Sequence, residues 1–222
     1  MTEIVSTQTL VDLLEDANSR TLELVDGLDG EQIIGPQLPI VNPLLWEIGH
    51  VGWFYEQFIL RMLYGGDKTL DNGDDMYDSI AIEHGVRWEL PLLPLPDSLK
   101  YIDDTRSRLI DRLGEISPGN MASEQDSFIY PFATFHEDMH TEAFSYTRQT
   151  LGYPVPEGLI EYTDKTRTKE DIGGGPLPGD AKIPGGTYML GAPKDESFAF
   201  DNEKWAHPVE IAPFAIAKAA VT

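Results

Sequence analysis

His136 and His140 stand four residues apart in the run Phe135-His136-Glu137-Asp138-Met139-His140-Thr141-Glu142. On a helix that spacing puts both imidazoles on one face, one turn above the other. There they can take two neighbouring positions around a metal ion. The run also fits the spacing of a zinc protease, in which Glu137 would be the general base beside zinc. That reading needs a third ligand from downstream, whereas the best third histidine, His50, lies upstream among Trp46, Trp53 and Phe54. A lone histidine in so apolar a run is ordinarily a core residue. Three histidines on two inward-facing helices instead read as a ligand set. Three neutral nitrogens on one face of an ion leave its other positions open for substrate and oxygen. Glu137 and Glu142 are the carboxylates placed to fix a ring tautomer from outside the ligand set. His84 and His207 fall in loop-like segments and are read as non-ligands.

Composition narrows the chemistry further. The chain has no cysteine, so disulfides, thiolate nucleophiles and zinc–sulfur sites are excluded. Sixteen basic residues against 38 acidic ones give a formal charge of -22. Such a surface repels phosphate backbones and anionic lipid, so neither nucleic acid nor membrane is expected as a partner. No apolar run approaches the roughly 20 residues that a membrane span needs. The N-terminus has no basic segment leading into an apolar one, so no signal peptide is expected and a cytoplasmic location follows as the default.

The histidines need elements to hold them. Helical spacing of Leu10, Leu13, Leu14, Ala17, Leu24, Val25 and Leu28 predicts a first helix over 7–28. Asn42 as cap and Pro43 in the first turn predict a second, running through His50 to the stop at Gly65-Gly66. Residues 67–96 read as a long loop, acidic at first and proline-rich at its end. A third helix fits 97–113, capped by Asp97 or Ser98. A fourth begins near Ser123 and ends before Gly152, with Pro131 either kinking it or marking its true start. Four amphipathic helices, two of them joined by a long crossover, make a mainly α four-helix bundle over 1–152. Glycines and prolines then mark 153–180 as a linker. From 181 to 222 short β-like runs follow, Thr187–Leu190 and Val209–Ile211, too few for an independent core and with no sign of a finished domain.

Two stretches carry a resemblance. The first is Asn42-Pro43-Leu44-Leu45-Trp46-Glu47-Ile48-Gly49-His50-Val51-Gly52-Trp53-Phe54, taken with His136-Glu137-Asp138-Met139-His140-Thr141-Glu142-Ala143. It resembles the DinB-type helical domain of the ergothioneine sulfoxide synthases and their selenium-using branch, the selenoneine synthases. The second is Ile183-Pro184-Gly185-Gly186-Thr187, followed by Phe200-Asp201-Asn202-Glu203-Lys204-Trp205-Ala206-His207-Pro208-Val209. It resembles the start of their second domain, an α+β unit of C-type-lectin-like fold related to the formylglycine-generating enzymes. The loop segment Met76–Ser79 with His84–Pro91 is more similar to the selenium branch.

The resemblance implies an Fe(2+) centre held by His50, His136 and His140. It also implies a reaction with O2 that joins selenium from a selenosugar, or sulfur from a thiol donor, to the imidazole C2 of hercynine. For such a substrate Tyr77 and Trp88 are aromatic candidates to meet the quaternary amine, and Arg87 is a candidate to hold a carboxylate, or else forms a structural ion pair. By the same resemblance, much of the substrate pocket, including an active-site tyrosine of the sulfur enzymes, belongs to the second domain, so the catalytic residues are expected there and residues 181–222 are expected to be only its start. Two rival readings stay open. One is a DinB-type thiol transferase using the same histidines with zinc or nickel, and the other is a non-catalytic metal-binding bundle.

Overall fold

The helices owe their ends to local caps and their places to their apolar faces. A computed structural model describes residues 3–116, 120–158 and 178–219. Ser6 opens α1 (Thr7–Val25) by accepting from the Thr9 amide, and Leu10, Leu14, Ala17 and Val25 are buried on its inner side. In α2 (Leu44–Tyr55) all twelve residues are buried. A helix apolar on every side has to sit in the middle of the protein. Two glycines let neighbours close onto it. A Cβ at Gly49 would stand 2.2 Å from the ring of Tyr77, and one at Gly52 would stand 3.0 Å from the ring of Tyr101. The helix runs on into a single π-helical stretch, Glu56–Arg61.

Asn42 does not cap α2. Pro43 holds the capping position without a side-chain hydrogen bond, and the Asn42 amide turns instead to Glu47 and Arg87. The stretch 67–96 is less of a loop than its sequence suggests, since it contains a short helix, α3 (Gly73–Tyr77), and a 3-10 turn over His84–Trp88. The next helix, α4 (Leu95–Ile116), begins two residues before its expected cap. Ser123 accepts from the Asp126 amide to open α5 (Glu124–Leu151), which passes through Pro131 and stops at Gly152, whose φ is 67°. Pro131 therefore does not mark the start of the helix. In the bundle α2 packs on α4 and α1 on α5. Leu10, Leu14, Trp46, Ile59, Leu109, Leu113 and Tyr130 gather in one core cluster, while Val25, Ile33, Leu44, Ile48 and Phe144 form a second. Among the described residues no helix is long and apolar enough to cross a membrane.

The chain divides into two compact units near residue 160. Most of the stretch read as a linker, residues 159–177, lies outside the described residues. In the second unit β1 (Asp180–Ile183) pairs antiparallel with β4 (Phe214–Ala217), and β2 (Gly186–Leu190) pairs antiparallel with β3 (His207–Ile211). The registers join Asp180 to Ala217 and Gly186 to Ile211. Sequence pattern finds β2 and most of β3 but not β1 or β4, since a run of four residues is too short for a strand pattern to stand out.

Candidate metal centre

Helix α2 supplies one ring and α5 two, and the three meet at their tips. His136 Nε2 lies 3.3 Å from His50 Nε2 and 3.1 Å from His140 Nε2. One ring nitrogen from each histidine falls within 4.8 Å of the others. Two ligands about 2.1 Å from a shared ion, at an angle near 100°, stand about 3.2 Å apart. The observed spacings match that.

Hydrogen placement makes the same point. His50 Nδ1 donates to the Tyr77 carbonyl at 2.7 Å, and His140 Nδ1 donates to the Glu47 carboxylate. Each ring has spent its one hydrogen, so each Nε2 presents a lone pair to His136. The Nδ1 of His136 is buried without a partner, and its ring stacks on Phe54 with centroids 3.5 Å apart. If His136 carries its hydrogen on Nε2 it satisfies only one neighbour; if on Nδ1, three lone pairs converge with nothing between them. A cation resolves the conflict, and the donor set therefore fits a metal ion. Burial also favours the neutral forms of His50 and His136, as ligation requires. Desolvation, helped by the neighbouring His140, brings His50 down to about 4. Desolvation and the two other histidines hold His136 far below the ordinary imidazole range.

A second layer of contacts fixes this arrangement. Glu47 is buried, and its other oxygen accepts from Asn42 at 2.7 Å. Burial alone would raise its carboxyl, but hydrogen bonds from His140 and Asn42 bring it below the usual carboxylate range. Asn42 in turn accepts from Arg87 Nη1 at 2.8 Å. The Arg87 guanidinium lies 3.9 Å over the Trp46 ring, which stacks on His50 at 4.7 Å. Arg87 is thus tied into the walls of the site.

Tyr77 is fully buried and contributes its carbonyl, while its ring fills the space beside Gly49. Trp88 is half-buried, and its indole donates to the Gly35 carbonyl at 3.1 Å. Neither side chain forms part of the histidine cluster. Glu137, expected beside the rings, instead accepts from Thr21 and Tyr55, each at 2.7 Å. Both its oxygens are engaged away from the histidines, which removes the zinc-protease arrangement. Glu142 is exposed. The carboxylate that meets a ring is Glu47, and its spacing from His50, three residues along α2, was the signal that could have revealed it. His84 bonds to the Val41 carbonyl and His207 to the Trp205 carbonyl, both outside the cluster.

Comparison with known proteins assigns the helical part of the chain to a family. Residues 13–143 match the DinB superfamily model. The chain is 27% identical over 235 aligned positions to the hercynine oxygenase of Mycolicibacterium smegmatis, covering 99% of this chain and 49% of that protein. It is 30% identical to the hercynine oxygenase of Mycolicibacterium thermoresistibile, over 94% of this chain and 45% of the relative. For the hercynine oxygenase of Mycobacterium tuberculosis the identity is 28%, over 94% and 47%. The chain spans about half the length of these curated relatives.

Proposed function

The chain belongs to the DinB superfamily, and on that premise we propose that His50, His136 and His140 hold an iron(II) ion used in oxygen-dependent chemistry on hercynine. The observation that carries this reading is the convergence of three Nε2 atoms, two of them on rings whose only hydrogen is committed elsewhere. Its substrate comes from the relatives, which are named hercynine oxygenases. The finer reaction is joining selenium or sulfur to the imidazole C2 of hercynine, as the resemblance in the sequence implies. Bound iron would supply the oxygen and one-electron chemistry that side chains lack. The residues of this chain have the remaining tasks. Glu47 and the Tyr77 carbonyl orient two of the rings, and Trp46, Trp53 and Phe54, all buried, keep water from their flanks. Residues 181–222 we read as part of the formylglycine-generating-enzyme-like domain, a reading supported by the two antiparallel strand pairs.

Anaerobic loading followed by elemental analysis tests the site, and nitric oxide as a spectroscopic probe of the iron tests the substrate. Stoichiometric iron whose nitrosyl spectrum shifts on adding hercynine is the expected result. A chain that takes up zinc or nickel in preference to iron, and ignores hercynine, would instead support a thiol-transferase reading.

A further inference from the structure

Helix α3 is five residues long, yet it holds three rings of α2 at once. Trp53 Nε1 donates to the Asp74 carboxylate, Trp46 Nε1 to the Met76 carbonyl and His50 Nδ1 to the Tyr77 carbonyl, each at 2.7 Å. Positions 46, 50 and 53 share one face of a helix. The two indoles stack on the imidazole between them, Trp46 at 4.7 Å and Trp53 at 5.8 Å between centroids. A single short element thus sets the rotation of the whole stack. Its anchor is Asp74. Arg61 donates to both carboxylate oxygens, at 2.7 and 3.1 Å, and the Lys68 ammonium stands 2.6 Å from one of them. The hydrogen bonds from Arg61 hold the Asp74 carboxyl well below its ordinary range, so the anchor stays charged. At the other end of α3 the Tyr77 ring occupies the place where a Cβ of Gly49 would be.

We propose that α3 clamps His50 in its Nδ1–H form and that Asp74 is the positioning residue that locks the clamp. Metal affinity then depends on a carboxylate that is not itself a ligand. The inference rests on the reading of His50, His136 and His140 as the ligand set. An imidazole free to turn, or to move its hydrogen to Nε2, spends part of its time unable to bind metal. Loss of such outer partners typically weakens metal binding about 10–100-fold. The Tyr77 carbonyl cannot be removed by a side-chain change, so the clamp has to be opened at its anchor or at Gly49.

Zinc serves as a redox-silent probe, titrated into the full 222-residue chain against a competing chelator. Asp74→Ala should weaken zinc by about tenfold or more, and should add no further loss in a His50→Ala background, because the two changes act on one ligand. In the zinc-loaded protein the His50 Nδ1–H proton should be slow to exchange with water, and Asp74→Ala should speed that exchange. Gly49→Ala, which drives α3 away from α2, should act in the same direction. A variant that melts at lower temperature yet keeps wild-type zinc affinity and a protected His50 proton would reduce Asp74 to a structural role and overturn the proposal. Equal losses with and without His50 would do the same. If His50→Ala alone leaves zinc affinity untouched, the ligand-set reading fails first and the clamp falls with it. Should Asp74→Ala not fold, Asp74→Asn keeps the shape and removes the charge; wild-type affinity and proton protection in that variant also overturn the proposal.

Discussion

All twelve residues of α2 are buried, whereas all five residues of β2 are exposed. Both segments are largely apolar, but α2 is enclosed by other helices and β2 meets β3 through an edge-to-edge ladder. The histidines show what the difference does. His50 on α2 is 2% exposed, stacked between two indoles and depressed to about 4 by desolvation. His207 on β3 is exposed, and its ring bonds to the carbonyl of Trp205, two residues away. Residue type is the same in both places. Burial and cross-helix partners, rather than histidine itself, make the candidate centre.

The comparison can be broken most forcefully at the histidines. His136→Ala or His140→Ala should take iron from stoichiometric to near zero by elemental analysis, with helical circular dichroism largely retained. His50→Ala should weaken iron far more than His84→Ala or His207→Ala. Equal effects from all three would erase the distinction between the two regions. Next in size is packing. Leu14→Ala, at a fully buried position of α1, should cost about 2–5 kcal/mol. Met189→Ala, at an exposed position of β2, should stay within about 0.5 kcal/mol. Denaturant unfolding measures both, and a large loss at Met189 would mean that the strand unit has a packed face of its own.

Glu47→Gln tests the inner partner of His140. It should weaken iron about tenfold to a hundredfold in chelator competition, with the metal-free fold little changed. The smallest expected effect is on acid stability. Because Arg61 and then Lys68 hold the folded Asp74 carboxyl below its unfolded value of about 3.9, its contribution is fully present above that pH. It is lost as pH falls toward the folded value. Thermal melts of wild type and Asp74→Asn should therefore differ at neutral pH and converge in acid. A gap that stays constant below pH ~3 would show that charge at Asp74 is not what stabilises the helical unit.

Local rules were enough for much of the molecule. Ser123 and Gly152 bound α5 because a cap and a left-handed stop act on neighbouring residues. The four-residue spacing of His136 and His140 puts them on one face wherever the helix goes. The apolar run around His50 required that it be buried. Other features depended on partners far along the chain. Asn42 reads as a cap, but Glu47 and Arg87 compete for its amide and win. Glu47 shares a helix with His50 and bonds to His140, 93 residues away. The Tyr77 carbonyl that orients His50 is backbone, which no side-chain pattern can announce. The sequence by itself determined which residues could ligate and which helices carry them, because period and capping are properties of neighbours. Tertiary structure alone decided which hydrogen each ring gives away, because that choice is made by acceptors brought in from other helices.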